Sequence, residues 1–572
     1  MDAFREAVVR VAVKAGYDAE AAREAVTVPK ERDRGDLTLP CFRLGKPPHD
    51  VAPLPLPCSR LVTPPPEAGK RVAEASEADA GLASAEAAGP FVNFRLDRAG
   101  FTKRTLAAVG PDYGRARETR GSVVIDYGSP NIAKPLLFHH LRSAVIGQAL
   151  CNLHRWSGYE VTGLNYLGDV GTAFGKLMVG IEKHGEAGDA DTLNARYVEA
   201  ARMCADDPAL MDRAREWAKR LEDDDPEALR LWKRAREISL KGFAEVYDWL
   251  GIRHDVVDGE QMYVKRAAAL ADDLLDKGKA RVSEGAVVLD ASDEALGVLL
   301  LKKSDGATLY QTRDLAAAID RWERFRFERM LYVTDIAQEH HFKQLFSGLS
   351  ALGFEWAARC RHVIFGQVLM GGKRTATREG RGVLLHDVLE EGRRRALEVV
   401  EQKNPDLDDK ERIARSVGAA AVIFSDVGYP VRKNINFDWE EILSFDGRTG
   451  PYLQYVHASA SSILRKGEGS GDGDPGLLEH DLEWDLVRRI AEFPDAVARA
   501  CEECEPSLLA GHLYELGREF RSYHTAGARD PGLRVLTEDS GLRAARLGLV
   551  GAVRQTLATG LTLLGIEPLD VM

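Results

Sequence analysis

The sequence predicts an α/β protein: a parallel-sheet core, a small α+β unit before it and an all-α part after it. Three observations carry this. An apolar strand pattern, Val123-Val124-Ile125-Asp126-Tyr127, passes through a polar turn into a helix pattern from Leu141 to Trp156, with apolar residues at Leu141, Ala144, Val145, Ala149 and Leu153. Strand and helix patterns keep alternating from Gly121 to about Leu385, as parallel strands joined by crossover helices do. From about Val388 onward the pattern is almost wholly helical.

The elements follow in order. An amphipathic helix (Phe4, Val8, Val11, Ala12) comes first, then Val26-Thr27-Val28-Pro29 and Gly35-Asp36-Leu37-Thr38-Leu39-Pro40-Cys41-Phe42. Pro47 to Pro66 is proline-rich and reads as loop or extended chain. Gly89-Pro90-Phe91-Val92-Asn93-Phe94-Arg95-Leu96 alternates like a strand and closes a first unit of residues 1-110. Within the alternating region, residues 185 to 245 are charged and strongly helical, and are expected as an insertion. A Gly/Asp-rich loop, Gly467 to Gly476, interrupts the helical end. The last element, Leu542 to Leu564, has apolar residues at helical spacing and basic residues on another face.

Bulk properties narrow the function classes. The chain has 572 residues, enough for several domains, and no run of the roughly 18 apolar residues that cross a bilayer. Its first residues, Met1-Asp2-Ala3-Phe4-Arg5-Glu6, are charged and lack a signal-peptide core, so a cytoplasmic location and no membrane partner are expected. Seven scattered cysteines do not suggest a disulfide framework. Cys501 and Cys504 form one CxxC without a second pair at zinc spacing, and no resident metal is expected. A net charge of −12 argues mildly against a nucleic-acid binder, but phosphate responds to local basic clusters. Such clusters stand at Arg393-Arg394-Arg395 and at Arg543, Arg546 and Arg554; either is equally a solvated helix face.

The most informative stretch is Ser129-Pro130-Asn131-Ile132-Ala133-Lys134-Pro135-Leu136-Leu137-Phe138-His139-His140-Leu141-Arg142-Ser143. A strand, a polar turn and a helix start form the place where α/β sheets bind nucleotides, because the first N–H groups of the helix attract phosphate. This stretch resembles the ATP signature of class I aminoacyl-tRNA synthetases in the form used by arginyl-tRNA synthetases. Tyr429-Pro430-Val431-Arg432-Lys433-Asn434-Ile435-Asn436-Phe437-Asp438-Trp439, and then Ser444 through Ala458, resemble the family's junction between catalytic core and anticodon-binding domain. The resemblance covers nearly the full chain. It implies a Rossmann-like catalytic core with a helical insertion over residues 118-440, an N-terminal accessory tRNA-binding domain over 1-110 and a helical anticodon-binding domain over 441-572.

It also implies the chemistry. ATP, with Mg2+, and L-arginine would give arginyl-adenylate, from which tRNA for arginine takes the amino acid; family members usually need bound tRNA for the first step. A guanidinium is a fixed fork of donors, which carboxylates and planar acceptors recognise. By the resemblance Asp126 and Asp314 supply negative charge, Tyr310 packs on or bonds the guanidinium, and Asn131 and Gln338 hold the α-amino and carboxylate end. Lys134, His139, His140, Gly168 and Asp169 belong to the ATP side. Gly371 through Gly380 resembles the mobile second ATP loop, with Lys373, Arg374 or Arg378 as its cation. Tyr523 would stack on an anticodon base, and Arg543, Arg546 and Arg554 would contact tRNA. A monomer is expected.

The chain departs from the family pattern where His-x-Gly-His is usual, reading Leu137-Phe138-His139-His140. Leu137 has no side-chain donor, and His139 replaces a glycine that lets adenine approach. Val170 stands where tryptophan is usual and Tyr166 where many members have histidine. These departures motivate an alternative: a paralogue that binds tRNA or arginine without catalysis.

Overall fold

Five parallel strands form the central sheet: β1 (Ser122–Asp126), β2 (Glu160–Leu167), β3 (Val256–Gly259), β4 (Arg329–Asp335) and β5 (Cys360–Phe365), in the order β5-β4-β1-β2-β3. The computed structural model describes residues 2–27, 29, 35–44, 65–76, 82–304, 306–370, 373–374, 383–467 and 473–572. The sheet grows outward from β1 in both directions, so the carboxyl ends of β1 and β4 flank a topological switch point, where such sheets bind ligands. Val123, Val124 and Ile125 are buried, as a strand covered on both faces requires. Val124, Leu164, Met330 and Tyr332 join one apolar core with Leu315, Leu345 and Leu349 of the covering helices.

Three helices matter for the site: α1 (Leu141–Trp156), α2 (Tyr310–Phe325) and α3 (Glu339–Ala351). The expected span of α1 is the observed one. It lies close under the chain leaving β1: a Cβ on Gly147 would stand 2.2 Å from Cγ of Tyr127, so no side chain fits there. The expected insertion is three helices, Ala190–Asp206, Pro208–Glu222 and Pro226–Trp249. Each begins on an aspartate cap, Asp189, Asp207 or Asp225, that accepts a backbone N–H of the first turn. Two of them have proline in the first turn, where its missing N–H costs nothing.

From Gly450 on, the described residues hold helices and short 3-10 turns only, among them Gly450–Lys466, Pro506–Arg529 and Ser540–Leu563. The helical pattern expected from Val388 is broken once, by the short strand Ile435–Phe437 beside Val368–Met370. Pro65 and Pro66 correct the expected loop. They open a helix, Pro65–Ala75, because proline suits the first helical positions. The rest of that proline-rich stretch lies outside the described residues.

Contacts divide the chain into two compact units, one of Met1–Tyr113, Ala460–Asp495 and Glu515–Thr556, the other of Gly114–Ser459, Ala496–Tyr514 and Leu557–Met572. The first unit thus combines the N-terminal segment with helices far along the chain. Its antiparallel sheet has Phe91–Leu96 between Leu37–Pro40 and Leu82–Ala88. Asp36 ties this unit together, accepting the Leu96 N–H at 2.9 Å and the Trp484 indole N–H at 3.2 Å. The second unit contains the parallel sheet and the helices α1, α2 and α3 described above.

Candidate active site

A cavity of about 670 Å³ opens at the carboxyl ends of β1 and β4. Eight of the residues expected to bind arginine or ATP line it: Asp126, Asn131, His139, His140, Gly168, Tyr310, Asp314 and Gln338. They come from distant parts of the sequence because β1, β2 and β4 end side by side.

On the carboxylate side, α2 presents Tyr310 and Asp314 one turn apart, on the same face. Tyr310 is 46% exposed, so its ring is available to a ligand. Asp314 Oδ2 lies 2.7 Å from Nε2 of His341, whose ring stands 5.0 Å from that of Tyr310. Gln338 stands just before the first residue of α3 and lines the same space. The sequence reading missed Glu260, which lines the cavity just after β3. Burial raises its carboxyl above the usual range and Asp314 adds to this, while Arg313, 2.8 Å away, opposes it. An acidic residue just beyond a core strand was the available signal.

Asp126 is a partial correction. It lines the cavity, but it is not a free negative charge: Nη1 of buried Arg321 stands 2.9 Å from Oδ2, and the Ser129 hydroxyl donates to Oδ1 at 3.1 Å. Burial pushes the carboxyl up, and Arg321 and Ser129 pull it back. A guanidinium keeps its proton in proteins, so Asp126 faces a fixed positive charge. Arg321 is flanked by the rings of Tyr166 and Tyr332, at 4.8 and 5.5 Å.

On the helix side, Asn131 and Gly168 form a β-bridge: Gly168 N–H donates to Pro130 O and Ile132 N–H to Gly168 O, both at 3.1 Å. Ser129 and Ala133 have positive φ, 47° and 66°, and bend the chain around this bridge. Phe138–His140 form a 3-10 turn that leads into α1. Leu137 has no side-chain donor, but its backbone N–H donates to Nδ1 of His140 at 2.9 Å. That bond assigns the imidazole proton to Nε2. Burial drives the His140 pKa down to about 3, so the ring is a neutral donor. His139 is exposed at the cavity wall, its ring 4.1 Å from that of His140.

Two ATP-side expectations are corrected. Lys134 turns to a second cavity, its Nζ 5.0 Å above the Tyr197 ring. Asp169 is buried away from the main cavity and accepts the Gln261 N–H at 2.9 Å; burial lifts its pKa to about 6. Its position after β2 made it look like a ligand group, but it braces the start of the next turn. Arg378 and the side chain of Lys373 lie outside the described residues.

Two tRNA expectations in the first unit change as well. Tyr523 is fully buried, so it offers no ring face to a base; its hydroxyl donates to Glu483 at 3.4 Å. Arg546 is buried on the same carboxylate, Nε to Oε1 at 2.8 Å, and donates to Arg534 O. Arg543 and Arg554 are half-buried, donating to Thr537 O at 3.2 Å and Ser461 Oγ at 2.9 Å. In the second unit Arg393, Arg394 and Arg395 are paired with Glu390, Glu391, Glu398 and Glu411, a solvated helix face. Cys501 and Cys504 are buried free thiols, and among the described residues no cluster of His, Cys, Asp or Glu suits a metal ion.

The chain matches three family models in succession: "Arginyl tRNA synthetase N terminal domain" over residues 2–96, "tRNA synthetases class I (R), catalytic domain" over 105–439 and "DALR anticodon binding domain" over 453–572. An arginine–tRNA ligase of Exiguobacterium sp. is 41% identical over 552 residues, 95% of each chain. One of Halothermothrix orenii is 36% identical over 571 residues, 97% of this chain and 96% of its own. Among solved structures, the arginyl-tRNA synthetase of Thermus thermophilus superposes with a TM-score of 0.81 at 28% identity, covering all of both chains. Sequence, fold and the cavity's position therefore agree, and the chain belongs to the arginyl-tRNA synthetase family of class I.

Proposed function

We propose that the chain joins L-arginine to the 3′ end of tRNA for arginine at the expense of ATP. The observation that carries this is one cavity with carboxylates and a tyrosine on one wall and a histidine-bearing helix start on the other. The guanidinium of arginine lies against Asp314, Glu260 and Tyr310. Asn131 and Gln338 hold its α-amino and carboxylate end. The triphosphate lies toward His139 and the Nε2–H of His140, and by the resemblance Lys373 and Arg378 supply positive charge to it.

The arginine carboxylate attacks the α-phosphorus of ATP, the bond to pyrophosphate breaks, and arginyl-adenylate forms. The terminal ribose hydroxyl of tRNA then attacks the acyl carbon and AMP leaves. Neither step needs a covalent enzyme intermediate. The residues act by positioning and by donors aimed at developing charge. Magnesium enters with ATP, as part of the substrate. A neutral His140 suits this task, because its Nε2–H donates a hydrogen bond without the ring needing to ionise.

Residues 1-110 and 441-572 bind the tRNA, with Arg543 and Arg554 as phosphate contacts, and residues 118-440 carry the chemistry. The protein works as a monomer in the cytoplasm; no helix among the described residues is long and apolar enough to cross a membrane. No observation favours the alternative of a paralogue without catalysis.

The test is arginylation of tRNA for arginine by the purified chain with ATP and magnesium. Turnover with arginine, and none with lysine, is the expected result. Bound tRNA without turnover would replace the ligase by the binding paralogue.

A further inference from the structure

Arg142 lies in the first turn of α1, two residues after His140, and is almost completely buried. Its Nε donates to Asp426 Oδ1 at 2.7 Å, Nη1 to Lys433 O at 2.8 Å and Nη2 to Val431 O at 3.1 Å. Both side chains of the ion pair are 1% exposed. A buried charge is tolerable when paired and hydrogen-bonded, and Arg142 meets that condition on three sides. The fixed guanidinium fork makes it suited to hold two backbone carbonyls and a carboxylate at once.

The segment it grips is fastened in turn to the chain that leaves β5. Gly366 N–H donates to Val431 O at 3.1 Å, the carbonyl Arg142 also holds. A Cβ on Gly366 would stand 2.7 Å from both Arg432 O and Lys433 O, so the two backbones touch. Gln367 N–H donates to Asn434 Oδ1 at 2.8 Å, and Ile435 N–H to Gln367 O at 2.9 Å. Val368–Met370 then pairs with Ile435–Phe437 on one side and with Lys373–Arg374 on the other. Arg142, Gly366, Gln367 and Val368 all line the cavity.

We propose that Arg142 is a positioning residue for the nucleotide reaction, a tether that fixes the base of the second, basic ATP loop relative to the helix start bearing His139 and His140. It rests on the ligase reading above. ATP must meet both elements, whereas arginine meets neither, so the tether governs ATP without governing arginine.

Two variants test it. Arg142→Lys keeps the charge and loses the fork; Asn434→Ala removes a fastening at an exposed position and leaves the buried pair intact. Steady-state arginylation is measured with ATP and arginine varied in turn, together with the Kd of a non-hydrolysable ATP analogue in the presence of tRNA. Arg142→Lys is expected to weaken ATP, by KM and by Kd, at least tenfold, and Asn434→Ala about threefold. KM for arginine stays within twofold for both. Unchanged ATP parameters in Asn434→Ala would overturn the tether, as would equal losses for ATP and arginine in the two variants. If the unmodified chain binds the analogue but does not turn over, the ligase reading fails, and the Kd shifts still decide the tether.

Discussion

Gly168→Ala is the sharpest probe of the cavity. A Cβ there would stand 2.0 Å from Asn131 Oδ1 and 3.0 Å from its Cγ. Relaxed contacts need about 3.5 Å, so the amide must retreat by about 1.5 Å. The backbone cannot move instead, because Gly168 N–H and Gly168 O are both bonded to the facing loop at 3.1 Å. Asn131 is exposed, so its side chain rotates away and the fold survives. A displacement on the order of 1 Å in a positioning group costs about 10²-fold in rate. Arginylation kcat/KM is therefore expected to fall about 10²-fold, roughly 2.7 kcal/mol at 1.36 kcal/mol per tenfold, with the melting temperature nearly unchanged. Asn131→Ala should lose about as much, and the double variant little more, since both changes remove one contact. Retention of kcat/KM within threefold by Gly168→Ala would refute the placement of Asn131 in the site. Additive losses in the double variant would refute the route through Asn131.

Asp314→Asn removes a charge-assisted partner for the guanidinium, worth about 1.5–3 kcal/mol; KM for arginine should rise roughly 10- to 100-fold while KM for ATP holds, and a matched rise in both would count against an arginine-facing role. Buried His154 donates from Nδ1 to Leu150 O at 2.8 Å, and burial holds its pKa near 4. Its depressed value favours the neutral folded state above the unfolded pKa of about 6.5, and that stability is lost as pH falls toward 4. The stability gap between the unmodified chain and His154→Gln should thus narrow by on the order of 3 kcal/mol from pH 6.5 to 4; a constant gap in denaturant melts would contradict this. Tyr523→Leu should leave the tRNA affinity of the folded chain unchanged, because the buried ring offers no face to a base. Arg546→Met should destabilise the fold by about 3–5 kcal/mol in denaturant melts by stranding Glu483; a tenfold weaker tRNA Kd for Tyr523→Leu would restore the stacking role.

The parts of the fold legible in sequence are those set by local pattern. The apolar run through Ile125 and the helical spacing from Leu141 fixed β1 and α1, because periodicity reports which face is buried. The pairing of Tyr310 with Asp314 was legible for the same reason: four residues on a helix share a face. What sequence could not supply was direction. Asp169 and Lys134 stand beside recognised motif residues, yet one side chain turns into the interior and the other toward Tyr197. Tyr523 and Arg546 lie on helices whose polar residues read as surface, but both close on Glu483 from a different helix. Such a partner, 40 or 63 residues away, leaves no local trace.

Asp126 shows why the charge of a motif residue is not its role. Read alone, a carboxylate ending the central strand looks like a counter-ion for a cationic substrate. Arg321, seven residues after Asp314 on α2, already neutralises it. A substrate guanidinium brought to that pair would meet a cation as well as an anion, and would gain little. Asp314 has no guanidinium against it, since its partner is His341, which holds one oxygen, and a carboxylate has acceptor sites to spare; Glu260 is paired with Arg313 at 2.8 Å and contributes less. In the proposed function the arginine side chain is therefore placed at the wall between β3 and α2, with Asp314 as its main partner. Asp126 and Arg321 serve as fixed scenery that shapes the floor of the cavity, where removing either charge would strand the other.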